Sequence, residues 1–177
     1  TFCVHTVLPG DTNYFNDQIC ISGFTTGSIS LPFSDNFDSL NVWHTDTSSI
    51  WQLGAPNGPI INSAFSGTNA WVTNLTGNYP NNSYSYLYSP SFSFSGLGIT
   101  DTVVLSFNHW MAVAGAVDYG QVQFSLNGGQ TWSNLGFMGD PSGSNWHNNQ
   151  SGGVHFFNYT NSGWMQSSYR LPPATFN

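Results

Sequence analysis

The side chains able to do chemistry in this chain are unevenly stocked: eight acidic residues, all Asp, with five His, two Cys, one Arg (Arg170) and no Lys. A hydrolase built on paired carboxyls needs two acids in one cleft, one with a raised pKa. The Asp residues here stand singly along the sequence and form no paired motif. Serine chemistry has its parts among 24 Ser, but no Gly-x-Ser-x-Gly elbow exposes one of them. His5, His44, His109, His147 and His155 show no His-x-x-x-His spacing, and Cys3 and Cys20 make no Cys-x-x-Cys pair, so zinc is disfavoured. No enzymatic activity is expected of this segment. Seven Trp and eight Tyr point to a different chemistry. An exposed ring is flat and apolar with a polar rim, which suits stacking on a sugar face while Asn and Asp take the hydroxyls. Trp146 lies in the polar loop Ser144–Asn149, between Asn145 and Asn148, and Tyr79 and Tyr119 flank similar loops. These five form the expected carbohydrate-binding set. The competing reading is that the Asn-rich loop holds its own turns through side-chain hydrogen bonds. Trp71, Trp110 and Trp132 sit on strand patterns and are expected in the core.

The elements that must hold these residues are strands. Only 5% of residues are charged, against about a quarter in an ordinary domain. The surface is instead made of 24 Ser, 20 Asn and 15 Thr, while 39% hydrophobic and 16% aromatic residues supply core material. Helix formers are scarce, and Ser, Thr, Asn and Gly with frequent aromatics fit short strands joined by turns. Strands are expected at Ala70–Thr73, Ser85–Ser89, Thr102–Trp110, Gln121–Ser125, Thr131–Leu135, Val154–Tyr159 and Gly163–Leu171, and a Gly/Asn/Ser loop over 139–153. Asn127-Gly128-Gly129 supplies positive-φ positions for a tight turn, and Trp132 is placed to fold back over it.

Phe2–Val7 and Ile19–Ile21 read as an antiparallel pair, with Gly23–Ser30 as a linker. This places a boundary after residue 30: residues 1–30 form a hairpin plus linker, and 31–177 the main domain. Cys3 and Cys20 are read as a disulfide across the hairpin, with two free thiols as the alternative. An isolated hairpin is marginal, so it is expected to end a preceding Ig-like module, and the whole to be a segment of a larger protein. One Arg cannot build a face for a phosphate backbone, so no nucleic-acid partner is expected. No apolar run approaches the length of a membrane span. The sequons at Asn74, Asn81, Asn149 and Asn158 are close to chance in so Asn-rich a chain.

Ser125-Leu126-Asn127-Gly128-Gly129-Gln130-Thr131-Trp132 resembles the Asp-box hairpin of secreted β-proteins, with Asn127 in the Asp place. The wider set is Phe33-x-Asp35-x-Phe37-Asp38, Trp51-Gln52-Leu53-Gly54, Asn69-Ala70-Trp71-Val72-Thr73, Tyr86-Leu87-Tyr88-Ser89-Pro90 and Leu135-Gly136. Together these resemble MAM-related jelly-roll modules of Bacteroidetes cell-surface and type IX-secreted proteins, over about residues 31–171. The resemblance implies an all-β jelly-roll sandwich, either cut short at its C-terminal end or completed by chain beyond residue 177. It also implies a structural calcium held by Asp35 and Asp38, with Asn69 and Asp118 as further ligands. The alternative for the two carboxylates is ordinary turn formation. Asp38-Ser39-Leu40 and Asp101-Thr102-Val103 are similar to the pattern on which such organisms attach O-glycans, which marks Ser39 and Thr102.

The function these readings lead to is that of a non-catalytic, extracellular module of a secreted or cell-surface adhesin or filament protein. It would pack against neighbouring domains or subunits of the same protein, or contact glycans. The alternative is a carbohydrate-binding accessory module of a secreted hydrolase or peptidase. A surface so poor in charge repels its neighbours little, which favours association.

Overall fold

The computed structural model describes residues 2–5, 18–21, 27–39, 42–113 and 118–172. Within them the molecule is all-β: fifteen short strands and no helix. In chain order they are β1 (Phe2–His5), β2 (Gln18–Ile21), β3 (Ile29–Ser30), β4 (His44–Thr45), β5 (Gln52–Gly54) and β6 (Ala70–Val72). There follow β7 (Leu87–Tyr88), β8 (Phe92–Ser93), β9 (Val104–His109), β10 (Gln123–Phe124) and β11 (Ser133–Asn134). The last are β12 (Gly143–Ser144), β13 (Asn149–Ser151), β14 (Val154–Phe156) and β15 (Met165–Arg170). No described helix is long and apolar enough to cross a membrane.

The strands pair locally into several small sheets. β1 runs antiparallel to β2, with Cys3 opposite Cys20; the cysteine side chains and residues 6–17 between the strands lie outside the described residues. β4 pairs with β7, β5 with β6, β10 with β11 and β13 with β14, all antiparallel. β3 and β8 are parallel. The longest ladder joins β9 to β15 over six residue pairs, from Val104 opposite Arg170 to His109 opposite Met165, and β12 adds to the other edge of β15. These two strands are the β-branched and alternating runs that the sequence marks most strongly. The expected 139–153 loop instead contains β12 and β13. Their Gly, Ser, Asn and Gln residues carry no local strand signal, and they are extended because β15 and β14 supply backbone partners.

The core lies on the inner side of β9 and β15. Leu135, Trp146, Phe157 and Tyr169 are buried together, with Leu105, Phe107, Val122 and Phe124 packed around them. Trp146 is its centre: the ring lies 4.9 Å from Tyr169, 5.7 Å from Phe157 and 5.9 Å from Phe107, and Nε1–H donates to the Leu135 carbonyl at 2.8 Å. Two glycines make room for it. A Cβ on Gly143 would stand 2.5 Å from Trp146 Cβ; one on Gly136, whose φ is +72°, would stand 2.4 Å from the Tyr169 ring. The expectation of an exposed, sugar-stacking Trp146 is therefore corrected, since only 7% of its surface is accessible. Trp132 reverses in the other direction. Expected in the core, it is 43% exposed.

Candidate functional site: an exposed row of aromatic rings

Tyr84-Ser85-Tyr86-Leu87-Tyr88 alternates with period two, so its rings share one face of the chain and its other residues the opposite face. The structure follows that pattern. Ser85 turns inward, where its hydroxyl meets Ser49 Oγ at 2.7 Å and accepts the Ile50 N–H at 3.1 Å. The rings turn outward: Tyr84 is 71% and Tyr86 42% exposed. Successive centroids lie 6.4 Å (Tyr84–Tyr86) and 6.1 Å (Tyr86–Tyr88) apart, close to the two-residue repeat of a strand, roughly 6.6 Å. His44, opposite Tyr88 across β4 and β7, stacks on it at 4.9 Å and 16°.

The row is extended at one end by the β10–β11 hairpin. Gly128 and Gly129 take φ of +68° and +86°, and Asn127 Oδ1 accepts the Thr131 N–H at 2.9 Å while its amide donates to Thr131 Oγ1 at 2.8 Å. Ser125 Oγ accepts the Gly129 N–H at 2.8 Å. Asn127 thus bridges the hairpin turn to Thr131. Trp132 folds back, its Nε1–H donating to the Gly129 carbonyl at 3.0 Å, and its ring arrives 5.6 Å from Tyr88. At the other end, the Tyr84 and Tyr119 hydroxyls are 2.9 Å apart, and Tyr119 packs on Phe156 at 4.7 Å. Tyr79 donates its phenolic proton to Asp118 Oδ2 at 2.8 Å, beside Tyr119 in sequence. The hydrogen bond to Tyr84, then burial, raises the Tyr119 pKa above the ordinary phenol value. Burial, followed by the Asp46 carboxylate, raises that of Tyr88. Neither phenol is ionised at neutral pH, and the row is uncharged.

Of the expected sugar-binding set, Tyr119 belongs to this row and Tyr79 lies beside it. Asn145 and Asn148 remain with Trp146 and hold the loop. The Asn145 amide donates to the Gln166 carbonyl at 2.9 Å, and Asn148 exchanges two bonds with the Asn158 backbone, at 2.8 and 3.1 Å. These bonds tie the loop to β15 and to the chain just after β14, rather than closing turns within the loop itself. Tyr84, Tyr86, Tyr88 and Trp132 were not singled out for binding. The signal that finds the first three is the Tyr-x-Tyr-x-Tyr alternation in so polar a stretch.

The expected calcium ligands are divided. Asp35 accepts the Phe37 N–H at 2.8 Å and the Trp43 Nε1–H at 3.0 Å. Asp38 Oδ1 accepts the Thr68 and Asn69 N–H groups at 3.0 and 2.9 Å. The Asn69 amide donates to the Phe37 carbonyl at 3.4 Å. Asp118 is instead bound to Tyr79, and no cluster of three His, Cys, Asp or Glu able to hold a metal occurs among the described residues. The Asp35 and Asp38 carboxylates are each already engaged by N–H donors of the chain. Asp38 is a loop anchor: it lies so close to Gly67 (φ +64°) that a Cβ there would stand 1.7 Å from Oδ2. Ser39 and Thr102, the marked O-glycan positions, are both exposed.

The described histidines have structural surroundings. His147 is buried at 2% exposure, accepts the Val122 N–H at 3.4 Å and packs 4.7 Å from Phe157. Burial, then the nearby His155, lowers its pKa to about 4. His109 Nε2 is hydrogen-bonded to the Tyr159 hydroxyl, and burial lowers its pKa too. His155 Nδ1 accepts the Met138 N–H at 3.2 Å.

The fold and this face define an all-β chain carrying an uncharged aromatic strip. Over 112 residues it is 31% identical to Bacillopeptidase F of Bacillus subtilis (strain 168), a match that takes in 62% of this chain. The chain spans 8% of the length of that relative. No family model matches the chain, and no solved structure matches it.

Proposed function

We propose that this chain is a non-catalytic accessory module of a large extracellular protein, in the manner of a secreted peptidase, and that it tethers its parent through the exposed aromatic row. The observation that carries this reading is the row itself: Tyr84, Tyr86 and Trp132 are each more than two-fifths exposed and follow one another through Tyr88 at ring-to-ring spacings. Isolated surface aromatics are ordinary, whereas a contiguous set marks an interaction site. The match to a small part of Bacillopeptidase F supports a module within a much longer secreted chain. We read the small sheets as one jelly-roll sandwich of the MAM-related kind, behind the end of an Ig-like domain.

The test removes residues 31–172 from the intact gene product. Turnover of a small soluble substrate by the parent should persist, while retention on the insoluble cell-surface fraction of the source culture should fall. Lost turnover with unchanged retention would refute a tethering role.

A second reading, a packing module of an adhesin or surface filament, draws on a separate observation. Phe65 is 56% exposed and packs edge-on against Trp164 at 6.3 Å, on a chain with one Arg and no Lys. Concentration-dependent sedimentation that disappears in Phe65→Ser is the result this reading requires.

A further inference from the structure

We propose that the row Tyr84–Tyr86–Tyr88–Trp132 binds a single, uncharged polysaccharide chain laid along β7. The inference rests on the tethering role and names its ligand.

Width is the first argument. Tyr84, Tyr86 and Tyr88 come from alternate positions of one segment, so their rings stand in single file, and at the Tyr88 end Trp132 lies 5.6 Å away and His44 stacks at 4.9 Å. A stable protein partner takes about 800 Å² on each side, with an apolar centre several side chains wide. One file of rings suits a ligand one chain wide that repeats along its length.

Charge is the second. The only cation in the Lys and Arg set is Arg170, at the end of β15 and outside the row. A polyanion is held by several Lys or Arg contacts, so nucleic acids and sulfated or uronic glycans have nothing to pair with.

The third is polarity at the ring edges. A sugar face needs an apolar platform, and its hydroxyls need groups that both donate and accept, as phenols do. The Tyr84 and Tyr119 hydroxyls meet at 2.9 Å, on residues that are 71% and 42% exposed.

Affinity electrophoresis of the full chain tests this, in gels containing a β-1,4-glucan, a β-1,3-glucan, a xylan or heparin, at low and high salt. The expected result is retardation by at least one neutral polysaccharide, insensitive to salt. Tyr86→Ala should weaken it about tenfold, the size of one aromatic hot spot, while Phe65→Ala should leave it unchanged. Near-UV circular dichroism establishes that each variant is folded, and Tyr86→Ser replaces Tyr86→Ala if that protein is not. Retardation by heparin alone, abolished by salt, would overturn the proposal. So would equal weakening by Phe65→Ala, or no retardation of the folded chain by any neutral polymer. If no polymer retards the chain but Tyr86→Ala in the intact parent still abolishes surface retention, the glycan is wrong and the tether stands. If surface retention is also unmoved, both fail.

Discussion

The hydroxyl of Tyr84 lies 2.9 Å from that of Tyr119, joining a segment that leads into β7 to the chain just before the Gly120–Phe157 bridge. Two distant stretches thereby contribute to one surface. Because the bond is exposed to water it contributes little to stability, but it sets the acidity of Tyr119. In Tyr84→Phe the Tyr119 pKa should move back toward the ordinary phenol value, with the melting temperature nearly unchanged. Ultraviolet titration of the phenols reads the shift.

Trp146→Ala should cost about 3–5 kcal/mol, the usual range for removing a large ring from a packed core. Its Nε1–H bond to Leu135 and contacts with Tyr169, Phe157 and Phe107 all go at once. Denaturant unfolding measures the loss. Where enough folded protein survives, polysaccharide retardation should persist, because Trp146 is not at the surface.

His147 makes stability depend on pH. Its folded pKa of about 4 lies below the ordinary histidine value of 6.5, so below pH 6.5 the unfolded chain takes up a proton that the folded chain does not. Stability should fall from pH 6.5 to about 4 and then level off for this group. The ceiling of the effect is about 3 kcal/mol at 1.36 kcal/mol per pKa unit. His109, lowered in the same direction, adds to it. Calorimetry across that window should show a shallower fall in His147→Gln than in the wild type.

Asp38→Ala should release the 67–69 loop, losing the acceptor for the Thr68 and Asn69 N–H groups. About 1 kcal/mol is expected for such partly exposed bonds. Gly67→Ala should be at least as damaging, since the new Cβ would collide with the same carboxylate. Millimolar calcium should leave the wild-type melting temperature where EDTA leaves it. A calcium-dependent rise abolished by Asp38→Ala would establish the metal reading instead.

Tyr169→Phe isolates one buried polar pair. The Tyr169 hydroxyl donates to Asp140 Oδ2 at 2.8 Å, and both residues are buried. Burial, then this bond, pushes the Tyr169 pKa up to about 12. Burial alone would raise Asp140, but the Ser142 and Tyr169 donors outweigh it and hold its pKa low. Removing the hydroxyl should cost about 1–3 kcal/mol, because the carboxylate then lacks a buried partner. It should also raise the Asp140 pKa, read by carboxyl NMR titration.

The strands were legible where alternation or β-branching was strong. β6, β9, β14 and β15 fall within the runs expected for them, and the Asn127 hairpin turns where its glycines require. The two Trp reversals share a cause. Burial of Trp146 depends on two glycines that clear its space and on rings from β9 and β15, none of which its own polar loop reveals. Trp132 sits on a strand pattern, but its hairpin lays the ring over a turn at the surface. Asp38 shows the same limit. It reads as a local turn former, and its partners stand thirty positions further along.

The β9–β15 ladder has a consequence for how the molecule is made. Val104 waits for Arg170 and His109 for Met165, and β12 too pairs only with β15. Tyr169, on β15, is one of the four residues buried at the centre of the core. Such long-range pairings form late. During synthesis from the amino terminus, local pairs such as β5–β6 and β13–β14 have their partners close by in the chain. The core around Trp146 must wait for β15, so a chain stalled before Met165 leaves β9 and β12 without the strand that joins them.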